Sequence, residues 1–222
     1  MSRLIDKIIN FFKWPLAWYI LLLTPAIIHS FHFFTIKNIK TFSLLGGVVF
    51  FIFSKIMMDP SVRTSMQIIA HELTHTFFAL LTFHKVKHIR LNPDDTGGEM
   101  GFIGQGNWLI IVAPYFFPLF CFIYMCVMSF LPDRVIYHFI LGYFLGYHID
   151  TVASQIHPEQ TDLKKAGYRF CFMFLPGINL LTIGFIFMYN TNQFEGVLNY
   201  FHLLNNLTFS YIDFIKNIFS SL

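Results

Sequence analysis

The chain has 222 residues, 55% of them hydrophobic and only 12% charged, with 30 phenylalanines and a net charge of +3. Its mean hydropathy is +0.59, outside the range of soluble globular domains, which places the protein in a lipid bilayer. The charge is sparse and dispersed, without a Lys/Arg-rich block, and this excludes a nucleic-acid partner.

At about 20 apolar residues per crossing, six hydrophobic segments are predicted, at 14–34, 41–58, 65–83, 107–131, 134–156 and 167–190. The expected fold class is an all-α polytopic membrane protein of about six transmembrane helices, with a small membrane-associated β-hairpin after the third. The opening "MSRLIDKIINFFK" is amphipathic and precedes the first apolar run. No A-x-A-like cleavage site follows that run, so it reads as a retained anchor rather than a signal peptide. The second segment carries Lys55 and is expected to be tilted, re-entrant or packed inside the bundle.

Residues 84–106, "HKVKHIRLNPDDTGGEMGFIGQG", interrupt the helical pattern. The strand-like pieces "VKHIRL" and "EMGFIG" flank the turn-rich "NPDDTGG", which predicts a β-hairpin. Because unpaired peptide groups cannot face lipid, the hairpin should sit at the interface or line a cavity. His84 and His88 flank Lys85 and Lys87 there and read as solvated loop residues. Pro114, Pro118 and Pro176 predict helix kinks. Cys121, Cys126 and Cys171 lie in apolar runs without metal-type spacing and read as small buried hydrophobes. Residues 191–222 space their apolar positions at three to four, as in a helix lying at the interface or on the bundle. The expected organisation is one domain over 1–222, with a core at about 65–190, two additional segments in 1–60 and the C-terminal amphipathic helix.

The third segment contains "IIAHELTHTFFALL", residues 68–81. Residues four apart share a helix face, so His71 and His75 can aim two imidazoles at one ion with Glu72 beside them, the HExxH arrangement. In a zinc site of this kind a position stays open for water, and Glu72 would act as general base. Ionisable side chains at membrane depth cost at least ~2.5–3.5 kcal/mol each, which favours a metal over an idle polar cluster. A third protein ligand is required, and the candidates cluster in "GYHIDTVASQIHPEQTDLKKAG", residues 146–167. Asp162 follows the break at Pro158, Asp150 sits near the end of the preceding segment, and His148, His157 and Glu159 satisfy the chemistry. Asn179, in "LPGINLLTIG", is a candidate for binding an extended substrate or an oxyanion, against a helix-packing hydrogen bond.

These residues resemble the site-2 protease family of intramembrane zinc metalloproteases, in particular its small members without a PDZ domain. The likeness runs over about 65–185: "AHELTHTFFALL" resembles the family's HExxH helix, "RLNPDDTGGEMGFIG" and "NWLIIVAPYFFPLF" its membrane-associated strands and next core helix, and "HIDTVASQIHPEQTDLKKAG" its late ligand segment. The resemblance implies Zn2+ as cofactor, His71 and His75 as ligands, Glu72 as general base and an Asp as third ligand, assigned to Asp162. "HPEQTDLKKAG" departs from the family's Asn-Pro…Leu-Asp-Gly pattern, which leaves Asp150 open. The implied activity is hydrolysis of a peptide bond in or near a transmembrane helix of a partner protein, by a multi-pass protein of a bacterial inner membrane. Two alternatives are a membrane zinc protease with Glu159 as third ligand, cutting at the surface, and a non-catalytic metal-binding or metal-transport protein.

Overall fold

The computed structural model describes residues 1–34, 38–91 and 97–220. In chain order these form α1 (Ser2–Phe11), α2 (Lys13–Ser30), a 3-10 turn (Phe31–Phe33), α3 (Ile39–Met57), α4 (Pro60–Leu81), β1 (Lys85–Leu91) and β2 (Gly98–Ile103). There follow α5 (Trp108–Val112), a second 3-10 turn (Ala113–Tyr115), α6 (Leu119–Met128), α7 (Val135–Gln155), α8 (Thr161–Ala166) and α9 (Tyr168–Ser220).

Helix starts follow local chemistry. Asn38 opens α3 by accepting from the Thr41 amide at 2.8 Å, and Asp59 opens α4 by accepting from Ser61, with Pro60 in the first turn. Each cap satisfies an amide that the first helical turn leaves without a partner. The chain between Trp108 and Met128 is bent by 80° at residues 116–118, beside Pro114 and Pro118 as their ring geometry predicts. Pro176 lies inside α9, whose break falls instead at Asn192 and Gln193. Beyond that break Tyr200, Leu204 and Leu207 pack on Leu23, Ala26 and Ile27 of α2.

The sheet is the expected antiparallel hairpin, with Lys85 opposite Ile103 and Leu91 opposite Gly98. The Asn92–Thr96 part of the expected turn lies outside the described residues. His84 corrects the sequence reading: it is fully buried, because Asp6 of α1 accepts from its Nε2 at 3.1 Å and Thr82 meets its Nδ1 at 3.0 Å. His88 is half-buried beside Glu99.

α3 and α7 run side by side in the same direction, pairing Leu44 with Gly142, Phe51 with Gly146 and Lys55 with Asp150. The approach is close enough that a Cβ on Gly47 or Gly142 would fall 1.9 Å from a facing backbone oxygen, the small-residue packing favoured where lipid offers no hydrophobic drive.

Among the described residues three helical stretches, 13–33, 39–57 and 168–220, are long and apolar enough to cross a membrane, and the bent 108–128 unit makes up to four. The expectation of about six crossings is not confirmed. Six would put Lys40 and Asp133 at opposite ends of the bundle, yet they form a 2.5 Å ion pair. α4 accounts for the difference. Near its start Gln67 donates to Asp150, close to the C-terminal end of α7. Just past its end, His84 meets α1, and Lys13 beside α1 reaches Ala166 at the same end of the bundle. Both ends of α4 therefore lie at one end of the molecule.

Candidate metal centre

The i and i+4 positions of α4 carry His71 and His75, whose Nε2 atoms are 3.0 Å apart. Asp162, in the first turn of α8, brings its Oδ2 to 3.4 Å from His71 Nε2 and 3.2 Å from His75 Nε2. Three donors bound at about 2.0–2.1 Å in a tetrahedron would be about 3.3 Å apart, so the observed triangle fits one ion with a fourth position free. Each ring is held through its other nitrogen. His71 Nδ1–H donates to Gln155 Oε1 at 2.8 Å, and His75 Nδ1–H donates to the Ile110 carbonyl at 2.7 Å. These bonds fix the tautomer that leaves both Nε2 lone pairs aimed at the centre, the outer layer that histidine ligands normally possess.

The Gln155 side chain is itself oriented, since its amide donates to the Gln67 carbonyl at 3.3 Å. The Tyr115 hydroxyl approaches Asp162 Oδ2 at 3.5 Å, and its ring meets the His71 ring edge-on.

Glu72 is buried and lines the same cavity of about 800 Å³ as the three donors, with β2 and the 155–162 segment as its other walls. Gly98 of β2 lies so close that a Cβ there would fall 2.7 Å from Glu72 Cγ. The cavity thus places a buried carboxyl group, a candidate metal-binding triad and a strand of the hairpin around one volume.

Among the other sequence candidates, Asp150 is occupied elsewhere, paired with Lys55 and accepting from Gln67 at 2.9 Å. Glu159 and His157 are exposed on the cavity rim, Glu159 lying 3.6 Å from Lys164. His148 is buried beside a small space it shares with His71 and Thr74. Asn179 donates to the carbonyls of Tyr115 and Leu175, both at 2.9 Å, and lines a separate apolar cavity. The sequence reading missed Gln155, Tyr115 and the Ile110 carbonyl. The one available signal was Gln155 itself, an amide at the end of an otherwise apolar helix.

The family model described as Peptidase M50B-like matches residues 60–149. Over that stretch, less than half of its length, the chain is similar to the M50B-like peptidases. The match takes in the HExxH helix, the hairpin, the bent α5–α6 unit and most of α7, and it ends before Asp162. Asp162 therefore stands as a candidate third donor on geometry alone. No curated protein and no solved structure matches the chain. The match to a metallopeptidase family suggests a metal, and the His71, His75 and Asp162 cluster is a group that could hold one.

Proposed function

We propose that the protein is an intramembrane zinc metalloprotease that hydrolyses peptide bonds in or near transmembrane segments of partner membrane proteins. The observation that carries this reading is the convergence of His71, His75 and Asp162 at 3.0–3.4 Å in one cavity with Glu72. Two imidazoles and a carboxylate form a donor set suited to zinc. When bound, zinc supplies Lewis acidity toward the attacking water and the scissile carbonyl.

The protein's own residues supply the remainder. Glu72 takes a proton from the water as its oxygen bonds to the carbonyl carbon, and returns that proton to the amine as the C–N bond breaks. Gln155 and the Ile110 carbonyl keep the two rings oriented. A helical substrate hides its carbonyls in its own hydrogen bonds, so it must unwind before attack, and the free edge of β2 beside Glu72 would hold the unwound stretch as an added strand.

We read five crossings: α2, α3, the bent α5–α6 unit, α7 and the 168–191 arm of α9. α4 then enters and leaves at one face, which admits water to its polar residues without exposing them to lipid. Assignment to a bacterial inner membrane rests on the family resemblance alone.

The test compares purified wild type with Glu72→Gln for zinc content and cleavage of a membrane-embedded substrate. The variant should keep zinc and lose cleavage. Equal cleavage by the two proteins would remove Glu72 as the base and overturn the mechanism.

A further inference from the structure

α1 turns one charged residue, Asp6, into the protein, while Arg3 and Lys7 stay exposed. Leu4, Ile8 and Phe11 are 64%, 49% and 73% exposed, whereas Asp6 is 6% exposed. At four- and three-residue spacing from Asp6 come Asn10, exposed but bonded to the Trp108 amide, and the half-buried Lys13, the first residue of α2. The outward stripe is left for the bilayer interface.

Each of these three residues grips an element that carries or supports a metal donor. Asp6 Oδ1 accepts from Asn107 Nδ2 at 2.7 Å, and Asn107 Oδ1 in turn accepts from the Ile110 amide at 3.2 Å to start α5. Ile110 is the residue whose carbonyl orients His75. The second Asp6 oxygen accepts from His84 Nε2, fixing the chain just after α4. Asn10 accepts from the Trp108 amide at 3.1 Å, and Trp108 Nε1–H donates to the Ile9 carbonyl at 2.6 Å. Lys13 donates to the Ala166 carbonyl at 2.7 Å, at the C-terminal end of the six-residue helix that begins with Asp162 in its first turn.

We propose that α1 and the start of α2 form a clasp for the metal centre, with Asp6 a positioning residue for His75 and Lys13 a positioning residue for Asp162. The inference rests on the zinc-protease reading and adds to it. α5 has only five helical residues and α8 only six, too short to hold their own geometry, so their donors depend on what they are bound to. A buried carboxylate is retained at Asp6 because two donors from different elements converge on it.

The test uses the full chain in detergent, with Zn2+ affinity measured by chelator competition and the visible spectrum of the Co2+-loaded protein recorded beside it. Asp6→Ala should weaken Zn2+ binding by about tenfold or more, as changes behind a ligand do, and should shift the Co2+ bands. Asp6→Asn keeps an oxygen for Asn107 and should recover most of the affinity. Lys13→Met should act in the same direction as Asp6→Ala. His138→Ala removes bonds to Asp133 and Asn190 at the far end of α7, and it should lower thermal stability while leaving Zn2+ affinity intact.

Wild-type affinity and spectrum in both Asp6→Ala and Lys13→Met would overturn the clasp. So would an equal loss of affinity in His138→Ala, which would show that affinity follows general stability. If Asp6→Ala does not fold, Asn10→Ala and Lys13→Met decide by the same readouts. A wild type that binds no Zn2+ would instead defeat the zinc-protease reading beneath the proposal.

Discussion

Gln155→Leu is the substitution whose effect can be worked out most fully. Leucine is close in size to glutamine, so the change leaves little cavity and acts mainly on hydrogen bonding. Gln155 Oε1 accepts from His71 Nδ1 at 2.8 Å, in a site where the His71 side chain is only 9% exposed. Without that oxygen a buried N–H has no acceptor, at a cost of about 1–3 kcal/mol. The imidazole can escape the penalty by moving its proton to Nε2, but that consumes the lone pair meant for the ion. Either route weakens metal binding, and at ~1.4 kcal/mol per factor of ten the expected loss is roughly tenfold to a hundredfold. The assay is Zn2+ competition against a chromophoric chelator at neutral pH, with thermal melting as a check on folding. A folded Gln155→Leu protein that binds Zn2+ as tightly as wild type would refute the orienting role.

Two further predictions concern neighbouring residues. Asp162→Asn should reduce metal affinity beyond the roughly hundredfold of an outer-layer change, whereas Asp150→Asn should retain the metal and only loosen the contact with Lys55; metal analysis of both purified variants separates these outcomes, and metal loss in Asp150→Asn alone would contradict the geometry. Gly98→Val should retain metal but lose cleavage, because its Cβ would fall 2.7 Å from Glu72 Cγ and 2.8 Å from Ile68 Cγ2; an active Gly98→Val protein would argue against the tight approach of β2 to Glu72.

What the sequence revealed, and what it hid, divides along a physical line. His71, Glu72 and His75 were legible because helical periodicity alone puts the two rings on one face. The hairpin was legible because "NPDDTGG" is dense in turn formers. Asp162 could be preferred on the break at Pro158, but choosing it over Asp150 required knowing that Lys55 and Gln67 already hold Asp150. Gln155 and the Ile110 carbonyl were hidden because they act through contacts between elements 35 and 84 residues from the histidines they orient. His84 was misread for the same reason: its loop composition suggests solvent, and its partner is Asp6, 78 residues earlier. The six-crossing expectation is not confirmed, because a hydropathy window measures length and apolarity but not direction, and α4 has the length of a crossing while contacts near both its ends tie it to one end of the bundle.

The central claim is tested most directly by X-ray absorption at the zinc edge of the purified, metal-loaded protein. The account predicts a four-coordinate shell of two imidazole nitrogens and light oxygen donors at about 2.0–2.1 Å, with the imidazole signal lost in His71→Ala and the oxygen contribution reduced in Asp162→Asn. A sulfur-containing shell, or a spectrum unchanged by both substitutions, would contradict it.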